Sequence, residues 1–346
     1  MNQENVWEGA SEPSPAAGQS EDLCGGGGAQ RYRVVAFKFG GSSLLGAERI
    51  LHAARLVRQA AKVSKVAVVV SAMRGVTDHL LSIERALLSG KLVHARRAAE
   101  VVLELHREVL EDLRLDEETD RLMRHELELL GRDLRHEVLS WKGGAASGES
   151  ADRLASFGER LSARLFAAAL QKLRVASVPV TSSEFVLTCD TFRHAEPHLQ
   201  QSRQRGRKIL LPLLEEGAVP VVTGFIGATP DGRITTLGRN SSDFSGAIVA
   251  YVVEADELVI WTDVDGIYTA NPQESAEARL LHELSYDEAH ALARGGAKVL
   301  HPKVLPLAAE SEMVVWVRNT FKPQARGTRI GPPSAFADAL LSGGAA

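Results

Sequence analysis

Six apolar runs punctuate the chain, at residues 34–39, 66–70, 175–180, 219–222, 258–261 and 313–317. They are rich in valine and mostly continuous, whereas a strand with one wet face would alternate apolar with polar residues. Between most of them lie stretches with apolar residues at helical spacing. Strands buried on both faces and separated by helices predict a parallel sheet with helices on each side. The expected fold class is therefore α/β: a three-layer α/β/α sandwich with a mainly parallel central sheet. In such sheets ligands bind outside the carboxyl ends of the strands.

Residues 77–141 break this rhythm. Leu80, Leu81, Leu87, Leu88, Val101, Val102, Leu105, Val109, Leu113, Leu122, Leu127 and Leu130 recur at roughly helical spacing among many Glu, Arg and His residues. The pattern predicts two or three amphipathic helices inserted after the second strand. Their charged faces, Asp116-Glu117-Glu118 included, read as solvated, with a dimer contact or a lid as the functional alternative. The glycine-rich stretch 143–148 reads as a connector back to the core, and 227–232, with Pro230-Asp231-Gly232 at its tip, as a hairpin turn.

Residues 1–30 are rich in Glu, Ser, Pro and Gly and end in Gly25-Gly26-Gly27-Gly28. That composition buries little, so a disordered leader is expected there. Residues 31–330 form the expected folded domain, with the helical insert at 77–141, and 331–346 a flexible tail. The 346 residues carry a net charge of −4, which gives no basic field for nucleic acid. No apolar run has the length of a membrane span, and the N-terminus lacks the layout of a secretory signal. The two cysteines, Cys24 and Cys189, make no disulfide framework and no zinc spacing. A cytoplasmic protein is expected, with no nucleic-acid or membrane partner.

Three segments carry candidate chemistry. Lys38-Phe39-Gly40-Gly41-Ser42-Ser43 ends the first predicted strand. Glycines there let backbone N–H groups approach an anion, and the lysine adds a full positive charge. It is not a P-loop, since no Gly-Lys-Ser/Thr follows the first glycine at the required distance. Further on come Leu237-Gly238-Arg239-Asn240-Ser241-Ser242-Asp243 and Trp261-Thr262-Asp263-Val264-Asp265-Gly266-Ile267-Tyr268-Thr269. In this order the three segments resemble the amino-acid kinase family, and within it the aspartate kinases, over nearly all of 34–330.

The resemblance implies ATP-dependent phosphorylation of L-aspartate to L-4-aspartyl phosphate, the first step toward the aspartate-derived amino acids lysine, threonine and methionine. It implies ATP as co-substrate, and Mg2+ arriving with the nucleotide rather than in a protein-held cage. Lys38 would neutralise the transferring phosphoryl group, helped by Phe39, Gly40 and Gly41. Asp243 would orient Lys38 or the metal shell, although an aspartate at that place also suits a helix cap. Arg239, Asn240, Ser241 and Ser242 would hold the substrate carboxylate. Glu159, in Phe157-Gly158-Glu159-Arg160-Leu161-Ser162, would take its ammonium, or else be a helix-start glutamate favoured by the dipole. Thr77 would touch the substrate, or else serve as a helix N-cap. Thr262, Asp263, Tyr268, Lys298 and Val299 would face the nucleotide, Tyr268 beside adenine or ribose.

Two positions depart from the family pattern. Ser241 stands where glycine is usual, narrowing the pocket or shifting an amide. Asn271-Pro272-Gln273 replaces an Asp-Pro-Arg whose arginine helps hold ATP, so weaker ATP binding is expected, or a substitute cation such as Arg279 or Lys298. The chain ends shortly after Pro323, where many relatives continue into regulatory domains. The expectation is a catalytic domain alone, insensitive to lysine and threonine, forming a homodimer and taking any regulation from a separate subunit. A sister kinase for another amino acid or carboxylate, or a non-catalytic binding subunit on the same fold, is the alternative.

Overall fold

All six apolar runs become strands of one sheet. They are β1 (Val34–Phe39), β2 (Lys65–Val70), β3 (Ser177–Val180), β4 (Val219–Thr223), β7 (Glu257–Thr262) and β11 (Val314–Asn319). The computed structural model describes residues 33–141, 148–272, 275, 277–294 and 300–332, which belong to a single compact unit. The expected leader at 1–30, connector residues 143–147 and all but the first two residues of the expected tail lie outside the described residues.

The six strands run parallel in the spatial order β3-β4-β2-β1-β7-β11. Two short strands, β12 (Thr328–Ile330) and β10 (Glu283–Leu284), complete the sheet beyond β11. β12 is antiparallel to β11, so the sheet is mainly parallel, as its composition predicts. Two hairpins flank it: β5 (Ile226–Ala228) with β6 (Ile234–Thr236), as foreseen, and β8 (Ile267–Tyr268) with β9 (Leu280–Leu281).

The expected third strand starts two residues late. Arg174 adopts a left-handed φ of 60°, and the Val175 N–H closes back onto Leu170 O at 3.0 Å. Val175 is therefore spent on ending a helix.

Alternation along β1 sorts its side chains between two cores. Val35, Phe37 and Phe39 enter the first. It is roofed by α1 (Gly46–Ala60), α2 (Val76–Leu88), α3 (Leu92–Leu113), α4 (Glu117–Leu139) and α5 (Gly148–Lys172). Ala36 enters the second, under α6 (Leu199–Glu215), α7 (Ser242–Val253), α8 (Tyr286–Arg294) and α9 (Val304–Glu310). Lys38 falls on this second side by the same alternation.

The insert is three helices, α2 to α4, and their apolar stripes complete the first core. Asp116 is more than a solvated charge: it caps α4 by accepting the Thr119 N–H at 3.0 Å. The structure also corrects one boundary. α5 begins at Gly148, well before the Phe157–Ser162 segment, so Glu159 sits in mid-helix and the helix-start reading of it falls away.

β1, β2, β4 and β7 all end at one edge of the sheet. The chain crosses from β1 to β2 on one side and later places β7 on the other. The crevice outside these ends is the switch point at which doubly wound sheets bind ligands.

Candidate active site

Lys38 is the next-to-last residue of β1 and is 6% exposed. Its Nζ lies 2.6 Å from Asp243 Oδ1. Asp243 is in the first turn of α7, where Ser241 takes the N-cap position and no side chain caps the helix. Of the two readings open for Asp243, the capping one is therefore overturned, because its carboxylate is spent on the lysine. A charge paired and buried in this way loses much of its rotamer freedom and is held in position.

Two glycines follow the strand, the first beside the ammonium and the second where two loops pass. A β-carbon on Gly40 would stand 3.6 Å from Lys38 Nζ, in the space an anion would occupy. Gly40 N–H donates to Trp261 O at 3.2 Å, joining the ends of β1 and β7. Gly41 opens a 3-10 turn, Gly41–Leu44, ahead of α1. A β-carbon there would meet Ala72 O at 2.8 Å, so only glycine lets the two loops pass. Phe39 does not share in this arrangement through its ring. That ring is fully buried, stacked on Trp261 and packed on Phe166 in the first core.

Glu159 approaches from α5. It is 6% exposed, and its Oε1 accepts the Ala72 N–H at 3.1 Å. Burial pushes its carboxyl up to about 8, against the opposing pull of that amide and of the nearby Lys38 charge. Gly158 makes the approach possible, since a β-carbon there would stand 2.7 Å from that of Ala72. Ala72 is thus pinched between Gly41 and Gly158. Sequence reasoning missed Ala72 because its contribution is a backbone N–H, which no side-chain pattern announces.

Thr77 is exposed in the first turn of α2. Gly75, at φ 90°, occupies the N-cap, which removes the capping reading of Thr77. Arg239 and Asn240 are exposed on the loop between β6 and α7. Gly238 (φ 94°) and Asn240 (φ 62°) turn that loop through left-handed conformations, which glycine and asparagine tolerate best. Arg239 has no ion-pair partner among the described residues. Ser241 is fully buried, with no partner for its Oγ among them, and Ser242 opens α7, half-buried.

On the β7 side, Thr262 ends the strand, and its carbonyl accepts the Thr320 N–H at 2.8 Å. Its hydroxyl donates to Asp263, which is exposed. Asp265 holds the loop that follows: it accepts Asn319 Nδ2 at 2.6 Å and Lys322 Nζ at 2.9 Å, contacts that lower its pKa. Tyr268, half-buried in β8, pairs with Leu280. Arg279 is exposed beside it, its backbone paired with Thr269. Lys298, Val299 and Gln273 lie outside the described residues.

The structure thus brings Lys38, Gly40, Gly41, Asp243 and Glu159 to one crevice, with Thr262 ending the neighbouring strand and Asp263 following it. Among the described residues, no three His, Cys, Asp or Glu side chains gather in a way that could cage a metal ion. No described helix is long and apolar enough to cross a membrane.

The chain matches the family model described as Amino acid kinase family over residues 33–319. It is 34% identical over 298 residues to lysine-sensitive aspartokinase 3 of Escherichia coli (strain K12), which covers 86% of this chain and 64% of that protein. It is also 34% identical over 301 residues to the chloroplastic aspartokinase 1 of Arabidopsis thaliana, covering 85% of this chain and 51% of that one. The crystal structure of E. coli aspartokinase III in complex with aspartate and ADP superposes with a TM-score of 0.79 at 32% identity, covering 87% of this chain and 65% of that chain. The chain therefore spans between half and two thirds of the length of these relatives.

Proposed function

This chain belongs to the amino acid kinase family, and from that premise we propose that it transfers the γ-phosphoryl group of ATP to the side-chain carboxylate of L-aspartate, forming L-4-aspartyl phosphate and ADP. The observation that carries the reading is the Lys38–Asp243 contact at the mouth of β1, with Gly40 keeping the space beside the ammonium open. Phosphoryl transfer asks the protein mainly for position and for cations against spreading negative charge. Lys38 provides such a cation, and Asp243 fixes where it points.

The amino acid is read at its two charged ends. Glu159 receives the α-ammonium, and Arg239 clamps a carboxylate in its planar fork. A carboxylate oxygen of aspartate attacks the γ-phosphorus, the bond to the β–γ bridging oxygen breaks, and ADP leaves with that electron pair. The transfer step itself moves no proton. The solved E. coli relative in complex with aspartate and ADP supports this choice of substrates.

The residues fit a nucleotide-borne Mg2+. Asp243 is one carboxylate near the phosphate space, and no described cluster forms a cage. The ion would supply charge neutralisation on the phosphates. Thr262, Asp263 and Tyr268 line the nucleotide side in this reading, with Lys298 and Val299 completing it and Arg279 a substitute for the arginine missing at Gln273. The helical layer α2–α4 is the face on which we place a homodimer contact, in a cytoplasmic setting.

The test is ATP- and Mg2+-dependent hydroxamate formation in hydroxylamine, with L-aspartate, L-glutamate, N-acetyl-L-glutamate and no substrate. A signal with aspartate alone that is lost in Lys38→Ala supports the proposal. Folded protein that binds ATP yet yields no hydroxamate with any of them overturns it in favour of a binding subunit.

A further inference from the structure

Three elements supply the substrate-facing side chains: α5 (Glu159), the loop after β6 (Arg239) and the first turn of α2 (Thr77). They come from distant parts of the chain, yet one buried group on α5 bonds the end of β6 directly and reaches α2 through a second residue. Asp152 lies on α5 seven residues before Glu159, close to two full turns, so both project from the same face of the helix. At 1.5 Å per residue the two α-carbons are separated by about 10 Å. Asp152 is 2% exposed. Its Oδ2 accepts the Thr236 N–H and the Arg193 N–H, each at 2.8 Å, and its Oδ1 accepts the Thr236 hydroxyl at 2.8 Å.

Each partner leads toward the site. Thr236 ends β6 three residues before Arg239. Arg193 takes a left-handed φ of 70°, a conformation that costs a residue with a β-carbon and that the bond to Asp152 helps to hold. Its guanidinium pairs with Glu84 of α2, whose side chain is 9% exposed. His194 packs against Gly238, where an added β-carbon would stand 3.0 Å from its Nδ1. The Ala195 N–H also returns to Thr236 O at 2.9 Å. The Arg239 loop therefore meets the 193–195 turn at Thr236 and Gly238 and is bonded to α5 at its root.

We propose that Asp152 and Arg193 form a strut that sets the separation between Glu159 and Arg239, and so are positioning residues for the two charged ends of an amino-acid substrate. The inference rests on the proposed role of that pair, and it extends to residues outside the segments that carry the family resemblance at Arg239. The strut fixes a distance and touches no reacting atom. Its loss should weaken amino-acid recognition while leaving the Lys38–Asp243 contact and the nucleotide side intact.

Asp152→Ala removes all three bonds. Asp152→Asn can keep them, because its single oxygen can accept both N–H groups while its amide donates to the Thr236 hydroxyl. The expected result for Asp152→Ala is an aspartate KM raised about tenfold or more with the KM for ATP unchanged, since small misplacements of binding groups carry costs of that order. Asp152→Asn should restore aspartate KM to near the wild-type value. Should Asp152→Ala fail to fold, Thr236→Val removes one bond with little change of shape and should shift aspartate KM in the same direction. Equal increases in both KM values, or no increase in a folded variant, overturn the strut.

Amide hydrogen exchange separates this outcome from failure of the kinase reading. Asp152→Ala should speed exchange across residues 237–240 without changing it in the interior of α7. This holds whether or not the wild type turns over aspartate, and unchanged exchange at 237–240 refutes the strut by itself.

Discussion

Lys38 runs so close beneath Gly246 that a β-carbon on that glycine would stand 3.1 Å from the β-carbon of Lys38 and 3.4 Å from its γ-carbon. Gly246 lies in the interior of α7, one turn after Asp243. An alanine there would ordinarily gain about 1 kcal/mol of helix stability. Here the neighbour is the root of a side chain fixed in a central strand, so overpacking of about 1–3 kcal/mol opposes that gain. Gly246→Ala is expected to change Tm little while displacing Lys38 from Asp243 and cutting kcat about tenfold or more. Unchanged kcat in the folded variant would show that Lys38 reaches its working position by another route.

Glu159 gives a pH dependence with a definite sign. Its carboxyl is raised to about 8 by burial, from an ordinary 4.5. The folded state therefore holds a proton that the unfolded chain releases above about 4.5. The stability this contributes is complete below that pH and is lost as pH rises through 8, falling by ~1.4 kcal/mol for each pH step of one between the two values. Glu159→Gln keeps the acceptor for Ala72 N–H without the buried charge. It should match wild-type Tm near pH 5 and exceed it at pH 8–9.

Binding an ammonium demands the ionised form of Glu159. For the wild type, kcat/KM for aspartate should rise with pH up to about 8, the value for the free group. Glu159→Gln should lose that limb along with about 100-fold or more in kcat/KM, as expected for an unpaired buried substrate charge. A flat profile in the wild type would remove Glu159 from the ammonium site.

Ser241 inverts the usual rule for helix starts. A serine at the N-cap normally stabilises a helix by ~1 kcal/mol through a bond to the first-turn amides. At the start of α7 the Ser241 side chain makes no such bond, and its hydroxyl is buried without a partner among the described residues. A buried unsatisfied hydroxyl costs ~1–3 kcal/mol. Ser241→Ala should therefore leave Tm unchanged or raise it by about 1–4 °C, measured by scanning calorimetry. A fall of several degrees would reveal an ordinary cap.

The parallel sheet was legible because its strands are buried on both faces and so carry continuous valine-rich runs, as in β2 and β4. The gathering of side chains in the crevice was legible where it depends on side-chain chemistry, as with Lys38 and Glu159. It was illegible where it depends on close approach. Gly158, Gly246 and the Ala72 amide act by what they lack or by their backbone, and only the folded packing gives them meaning. The β10 and β12 strands escaped notice because two or three residues are too few to show a period. The capping reading of Thr77 failed for a related reason: Gly75, with its positive φ, had already taken the place.

The helical layer carries a buried group that makes stability sensitive to mild acid. His106 sits in α3, 1% exposed. Its Nδ1 bonds Val102 O at 2.6 Å, which makes that nitrogen the one carrying the proton, and its Nε2 has no partner among the described residues. Burial lowers its pKa from 6.5 to about 4. The unfolded chain therefore takes up a proton between about 6.5 and 4 that the folded helix refuses. Stability falls as pH drops through that window, by up to about 3 kcal/mol at its lower end. His106→Leu places an apolar group of similar size where no charge can form. It should flatten the Tm profile between pH 6.5 and 4, stabilise the protein at pH 4.5 and leave activity at neutral pH untouched, since α3 packs on α1, α2, α4 and α5 rather than on the crevice. A variant whose Tm falls in parallel with the wild type over that range would place the acid sensitivity on other groups.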